Sequence, residues 1–311
     1  MLAIVKLKLL TLIAFASFGN VCAYAMIIDD SGWLTDMDSN GDGHGDLGRI
    51  NSVCKGSGNS RRRVVTFDTG RLHKALFYGC CMDKSHLKLC QQAHTFSLSG
   101  LGMGDVAWHV NGFIDVLVDG ESLGGRVPKI ETRDDGDHGI ATYVWELPGG
   151  SVEISFSADY GDEQLTLQVC LPQRRVSPGE IVFLCYPSSL ALGRPAAERD
   201  RCCATAKRSL RHWMDKTWVR LSSDEFWLLY CDDIWDLGKA GKVGECGGPC
   251  ALLYVPSEFR GVEVQVHNYE IYTRFECGGA ESFNFLLWPS MGIPNAKALD
   301  EMKLIKIKEG K

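Results

Sequence analysis

Hydrophobic and polar positions follow a strand rhythm through the middle of the chain. Ile140 to Leu147 (IATYVWEL) runs into Pro148-Gly149-Gly150, a turn signal. Ser151 to Ser157 (SVEISFS) then alternates apolar and polar, Asp159-Tyr160-Gly161-Asp162 turns the chain, and Gln164 to Leu171 (QLTLQVCL) alternates again. Pro178-Gly179 leads into Ile181 to Tyr186. Period-two patterning cut by turns at short, regular intervals is the signature of a sandwich or barrel, because alternate side chains of a strand point to opposite faces. The links are too short for crossovers, so the pairing is antiparallel.

Strands resume at Phe226 to Tyr230, Ala251 to Val255, Val262 to His267, Tyr269 to Phe275 and Phe283 to Trp288. The stretch between, residues 190 to 212, is polar and Arg-rich and reads as a long connection with a short helix. Asn295 to Leu304 reads as a terminal helix: Asn295 is the expected N-cap, and Ala298, Leu299 and Met302 fall at helical spacing. Residues 26 to 63 are rich in Gly, Asp, Asn and Ser and read as loop, and 71 to 93 is compatible with a helix. The fold class is therefore mainly β: a large antiparallel two-sheet sandwich with a loop-rich N-terminal segment and short helices. The expected division is 1–25, 26–100 and 101–311, with two smaller sandwiches joined near residue 200 as the alternative.

The first 25 residues stand apart from this pattern. Lys6 and Lys8 precede an apolar run from Leu9 to Phe18, and Ala23-Tyr24-Ala25 follows. Basic, apolar, then small-x-small is the secretory signal pattern, and the run is too short to span a bilayer. A secreted or periplasmic location is expected, with no membrane span after cleavage. Lys6 and Lys8 leave with the signal, taking the formal charge from −6 to −8. An acidic chain without a basic stripe argues against nucleic acid as a partner.

Composition adds a core and a redox question. Hydrophobic residues are 45% of the chain, enough for a sizeable interior. Of the 13 cysteines, Cys22 lies in the signal, leaving an even number, which in an exported chain permits disulfides. Cys170, Cys185 and Cys231 sit inside apolar strand-like runs, where cysteine packs as a small hydrophobe. A few bridges are expected, and Cys246 and Cys250 (CGGPC) are placed to close a tight loop.

The most specific stretch is Asp38-Ser-Asn40-Gly-Asp42-Gly-His44-Gly-Asp46. It matches D-x-[DN]-x-D-G-x-x-D and resembles the calcium loops of integrin-type FG-GAP repeats and, less closely, dockerin and EF-hand loops. The resemblance covers about ten residues. Ca²⁺ takes 6–8 oxygen ligands, and alternate oxygen-bearing side chains around a glycine turn can wrap it. The match gives side-chain oxygens from Asp38, Asn40, Asp42 and Asp46 and a backbone carbonyl from His44. Arg49 stands where an EF-hand counted from Asp38 needs its bidentate Glu, so a structural Ca²⁺ is expected rather than a signalling EF-hand. His86, Cys90 and His94 fall four residues apart with Cys81 nearby, but the spacing matches no zinc module, and zinc is not expected.

Acid/base and ligand candidates are weaker. Asp134-Asp135-Gly136-Asp137-His138 precedes a strand, and Asp232, Asp233 and Asp236 follow another. Two carboxyls facing one bond are what chemistry on a sugar needs, so Asp135 and Asp233, with His109, His138 or His267, are the catalytic candidates; solvated acidic turns are the commoner use of such residues. Trp108, beside His109, and Trp235, beside Asp236, are the ligand-stacking candidates, whereas Trp145 and Trp227 lie in apolar runs and belong to the core. Arg194, Arg199 and Arg201 are candidates for pairing with an acidic ligand or with surface carboxylates. No P-loop, Rossmann, G-x-S-x-G or H-E-x-x-H motif occurs. The run of antiparallel strands loosely resembles the supersandwich of galactose-mutarotase-like proteins and polysaccharide lyases. That resemblance implies a polysaccharide or glycan partner, bound either by a binding module or accessory protein or by a polysaccharide-acting enzyme. The remaining expectation is a calcium-stabilised structural surface protein.

Overall fold

Strand pairing, read from a computed structural model, organises the described residues into three antiparallel sheets. The structure describes residues 27–35, 60–81, 94–100, 114–123, 126–173, 177–185, 201–211, 217–232, 249–267, 271–288 and 293–305. In chain order the strands are β1 (Ile28–Thr35), β2 (Ser60–Asp68), β3 (His73–Cys81), β4 (His94–Gly100), β5 (Ile114–Val118), β6 (Glu121–Ser122), β7 (Lys129–Asp134), β8 (His138–Leu147), β9 (Gly150–Asp159) and β10 (Leu165–Cys170). They continue with β11 (Glu180–Cys185), β12 (Arg201–Ala204), β13 (Ser209–Arg211), β14 (Val219–Arg220), β15 (Trp227–Asp232), β16 (Cys250–Tyr254), β17 (Phe259–Val266), β18 (Ile271–Cys277) and β19 (Ser282–Trp288), followed by helix α1 (Asn295–Leu304). A nine-stranded sheet has the order β13-β12-β15-β16-β19-β10-β9-β8-β7, a six-stranded sheet β14-β17-β18-β11-β5-β6, and a four-stranded sheet β1-β2-β3-β4.

The two large sheets form the sandwich. Period-two strands bury one face each: Val152, Ile154, Phe156 and Ala158 on β9, Leu165, Leu167 and Val169 on β10, and Ile271, Phe275 and Cys277 on β18. Aromatic rings bridge the gap. Phe285 of the nine-stranded sheet meets Phe183 and Phe275 of the six-stranded sheet, each at 5.0 Å between centroids. Tyr254 meets Phe275 edge-on, also at 5.0 Å. Fully burying one such side chain contributes about 1.5–3 kcal/mol, so this layer dominates the stability of the fold. Polar contact also crosses it, with the Tyr230 hydroxyl 2.9 Å from Thr273 Oγ1.

Helix α1 covers the opposite face of the nine-stranded sheet. Ala298 and Met302 are buried in a second cluster with Cys202, Trp227, Leu229, Cys231 and Ala251. That is why β15 reads as a continuous apolar run: both of its faces are covered. The helix occupies the expected residues, but Pro294 holds the N-cap position and Asn295 lies inside the first turn. Among the described residues no helix is long and apolar enough to cross a membrane.

The N-terminal segment, expected to be loop-rich, contributes the four-stranded sheet, and His73–Cys81 is a strand where the sequence was compatible with a helix. Its contacts explain the difference. Ile27, Ile28, Val65, Phe67 and Leu76 join the main buried cluster, and tertiary burial overrides local propensity. Gly139 on β8 makes the approach possible, since a Cβ there would stand 2.7 Å from Ile28 and 2.8 Å from Ile27. Polar contacts fix the join. Within the four-stranded sheet Arg63 Nε donates to Asp30 Oδ1 at 2.8 Å; across the join Arg63 Nη1 donates to the Ile130 carbonyl at 3.3 Å, Thr132 Oγ1 to Asp30 Oδ2 at 2.9 Å, and the Ile28 amide to Asp134 Oδ2 at 2.7 Å. The Arg63 hydrogen bond outweighs partial burial and, with Gly32 and Thr132, lowers the Asp30 pKa.

Among the described residues one carboxylate is wholly buried. Glu225 lies between β14 and β15 and is 0% exposed. Its oxygens accept from Thr205 Oγ1 (2.6 Å), Arg208 Nε (3.0 Å) and Nη2 (2.8 Å), and the Ser222 amide (2.9 Å) and hydroxyl (2.8 Å). Burial by itself would raise its pKa, but Arg208, Ser222 and Thr205 more than offset this and pull it from 4.5 to about 2.

Candidate functional site

Several candidates from the sequence lie outside the described residues: the calcium ligands Asp38, Asn40, Asp42, His44 and Asp46, the Trp108–His109 pair, Asp233 and Trp235, Arg194 and Arg199, and the signal segment. So do His86, Cys90 and Cys246. Among the described residues no group of three or more His, Cys, Asp or Glu side chains gathers to hold a metal ion.

Asp135 and His138 do come together, at the β7–β8 turn. Asp135 Oδ1, however, accepts the His138 backbone amide at 2.8 Å, and the Asp135 amide donates to the His138 carbonyl at 3.1 Å. The imidazole Nδ1 faces Asp159 Oδ1 on β9 at 2.7 Å. Neighbouring Asp134 accepts the Gly136 amide at 2.7 Å and the Ile28 amide. These carboxylates close a turn and anchor the four-stranded sheet, which is the ordinary use of Asp in such a loop. Trp145 and Trp227 are core residues, 3% and 1% exposed.

A different cluster forms on the outer face of the six-stranded sheet. Strand register builds it. Arg220 on β14 stands opposite Glu263 on β17, Glu263 opposite Arg274 on β18, Arg274 opposite Val182 on β11, and Val182 opposite Asp115 on β5. The adjacent row aligns Gly261, Glu276 and Glu180. Since opposite residues share a face, two rows from different parts of the chain line one cleft. Glu180, Arg220, Gly261, Glu263, Arg274 and Glu276 enclose a volume of about 280 Å³.

Electrostatics and one glycine shape this cleft. Arg274 pairs with Glu263, and that bond, with the added charges of Glu263, Glu180 and Glu276, holds its guanidinium pKa above the usual value. The same guanidinium lies over the Trp218 ring, 4.8 Å from its centroid, and Trp218 meets Tyr272 at 6.5 Å. Trp218 remains 38% exposed, a large aromatic at the surface of a charged patch. Arg220 Nη2 donates to the Arg260 carbonyl at 2.8 Å, and its guanidinium lies across Gly261, where a Cβ would approach Nη2 to 2.5 Å. At the far end of the row Asp115 accepts the Ser122 hydroxyl at 2.9 Å, and burial raises its carboxyl pKa.

The arrangement supplies carboxylate acceptors and guanidinium donors within one small concavity, with the Trp218 ring beside it against Arg274. Glu180 and Glu276 are directly opposed across β11 and β18, which sets their Cβ atoms about 5 Å apart. Sequence reasoning passed over Trp218 and the charged residues of the cleft. Glu263-x-Gln265 and Tyr272-x-Arg274-x-Glu276 are the polar positions of alternating strands, a pattern that a solvated face also produces.

No family model matches the chain, and no curated protein matches it in sequence. Among solved structures it is similar to a TPR-domain containing protein from Parabacteroides distasonis ATCC 8503, with 10% identity and a TM-score of 0.46, covering 81% of this chain and 50% of that one. It is also similar to the alpha-N-acetylgalactosaminidase NagBb from Bifidobacterium bifidum in its GalNAc complex, with 10% identity and a TM-score of 0.38, covering 74% of this chain and 34% of that one. The chain thus spans half of the first protein and about a third of the second.

Proposed function

We propose that this β-sandwich protein binds carbohydrate in the cleft on the outer face of its six-stranded sheet. The observation that carries the reading is the exposed Trp218 beside a cleft of about 280 Å³ lined by three glutamates and two arginines. A sugar presents hydroxyls that both donate and accept, and an edge of C–H groups. Carboxylates accept from the hydroxyls, guanidiniums donate to them, and the negative face of an indole attracts the C–H edge. The cleft has room for about one sugar ring, so a longer glycan would extend along the sheet past Tyr272.

The secretory pattern of residues 1–25 and the calcium loop Asp38–Asp46 complete this reading from sequence: an exported protein with a structural Ca²⁺ that meets glycans outside the cell. Chelation by EGTA is expected to lower the thermal midpoint; an unchanged midpoint removes calcium from the account. A second reading, an enzyme acting on polysaccharide, is favoured by the opposed Glu180 and Glu276, since paired carboxylates at such spacing can divide the acid and base roles.

The test is a glycan array on the mature chain, followed by calorimetry on any hit with Trp218→Ala and Glu276→Gln. Loss of a stacking contact is expected to weaken binding by about tenfold, roughly 1.4 kcal/mol. A blank array, or a hit whose affinity Trp218→Ala leaves unchanged, sinks the reading. Depolymerisation of a bound polysaccharide that disappears in Glu276→Gln would favour the enzyme over the binding module.

A further inference from the structure

The interior of the sandwich holds a row of thiols that the sugar site does not use. Cys203 on β12 stands opposite Tyr230 on β15, and Tyr230 opposite Cys250 on β16. All three point to the inner face of the nine-stranded sheet, and all belong to the main core cluster. From the six-stranded sheet, Cys185 at the end of β11 comes down onto this row. Its Sγ lies 3.8 Å from Cys250 Sγ, and both residues are 0% exposed.

The geometry points to a covalent staple between the two sheets: we propose that Cys185 and Cys250 are joined by a disulfide in the protein folded under oxidising conditions. The two sulfurs are already in van der Waals contact, so a small closing movement brings them to bonding distance near 2.05 Å. The residues are 65 apart in sequence, and each sits at an end of its strand, Cys185 as the last residue of β11 and Cys250 as the first of β16. Strand ends tolerate the movement better than strand centres, because fewer ladder hydrogen bonds must follow it.

The chemistry balances with an external disulfide such as glutathione disulfide as the oxidant. One cysteine thiolate attacks it, forming a mixed disulfide and releasing one thiol. The second cysteine, deprotonated, displaces the other glutathione thiol and forms the Cys185–Cys250 bond. Two protons and two electrons pass from the protein to the oxidant. Burial, and the neighbouring Cys250, raise the Cys185 thiol well above its ordinary pKa once the sheets are closed. Thiolate attack is therefore slow inside the finished core, and the bridge forms while the two sheets are still docking.

This competes directly with closure of the CGGPC loop, where Cys246 lies four residues before Cys250. The experiment is to refold the reduced, denatured full-length chain in a reduced/oxidised glutathione buffer, alkylate, digest and map the linked peptides by mass spectrometry, in the native sequence and in a Cys246→Ser background. A Cys185–Cys250 linked peptide is expected in both. Cys250 linked to Cys246 or to any other residue, or Cys185 and Cys250 both recovered alkylated, overturns the proposal. A second readout does not depend on the digest. Adding reductant is expected to lower the thermal midpoint of the refolded protein by about 5–10 °C, the scale of one stabilising cross-link in a chain of this size. The Cys185→Ala/Cys250→Ala double variant should lack that drop, and an equal drop in the variant overturns the assignment.

Discussion

The two faces of the six-stranded sheet are made by the same strands and differ in everything else. On β18, Ile271, Thr273, Phe275 and Cys277 are 0% exposed, while the intervening Tyr272, Arg274 and Glu276 line the outer surface. The inner face is held by shape: Phe259, Phe275 and Phe283 or Phe285 meet at 4.9 to 5.3 Å between centroids. The outer face is held by charge, with Arg274 shared between Glu263 and the Trp218 ring. Exposed ion pairs contribute little to stability, about 0–1 kcal/mol, whereas a buried aromatic contributes several times that. The inner face therefore has stability as its job, and the outer face is free to be shaped for recognition.

The largest expected effect tests the inner side. Phe275→Ala removes a ring packed against Tyr254, Phe183 and Phe285 and is expected to destabilise by about 3–5 kcal/mol in urea unfolding. A loss below 1 kcal/mol would mean that the interior relaxes into the gap and that the contrast between the faces is overstated.

Among the described residues Glu225 is the wholly buried carboxylate, and it should respond to pH accordingly. Its folded pKa of about 2 lies below the ordinary 4.5. A depressed carboxylate stabilises the fold above its unfolded pKa, and that contribution disappears as pH falls through the folded value. Stability is thus expected to decline by about 2–3 kcal/mol between roughly pH 5 and pH 2 from this group alone. Glu225→Gln should lose about 1–3 kcal/mol at neutral pH and show a shallower acid slope. Parallel acid slopes for the two proteins would show that the proton is taken up elsewhere.

The difference between the faces also explains what the sequence made legible. Apolar residues at alternate positions in SVEISFS and QLTLQVCL announce strands with a buried side, and β9 and β10 are there. Helix α1 was readable from its own residues. The outer cleft was not, because it depends on register. Nothing local in Glu263, Arg274 or Glu180 says that they will stand side by side; that follows from pairings between strands far apart in the chain. Asp135 and His138 were conspicuous for the opposite reason, since neighbours in sequence are easy to see together, and turn geometry accounts for their closeness. The four-stranded sheet was missed because its burial is supplied by β7 and β8, through contacts such as Ile28 with Gly139.

The smallest expected effect on stability separates the two faces best. Gly261 lies on the strand β17, and the atoms a new Cβ would meet are Arg220 Nη2, Cζ and Nη1 at 2.5, 2.8 and 3.1 Å. These are the far end of a flexible side chain that donates to the Arg260 carbonyl at the surface. Gly261→Ala is therefore expected to cost less than about 0.5 kcal/mol, and the strand's preference for a side chain over glycine works in its favour. Yet the added methyl group displaces Arg220 into the cleft, narrowing the space it shares with Glu263 and Glu276. Glycan affinity should fall by about tenfold while the urea midpoint stays put. If the variant instead unfolds early, the outer face is carrying the fold as the inner one does; if it binds as the native protein does, the ligand lies somewhere other than this cleft.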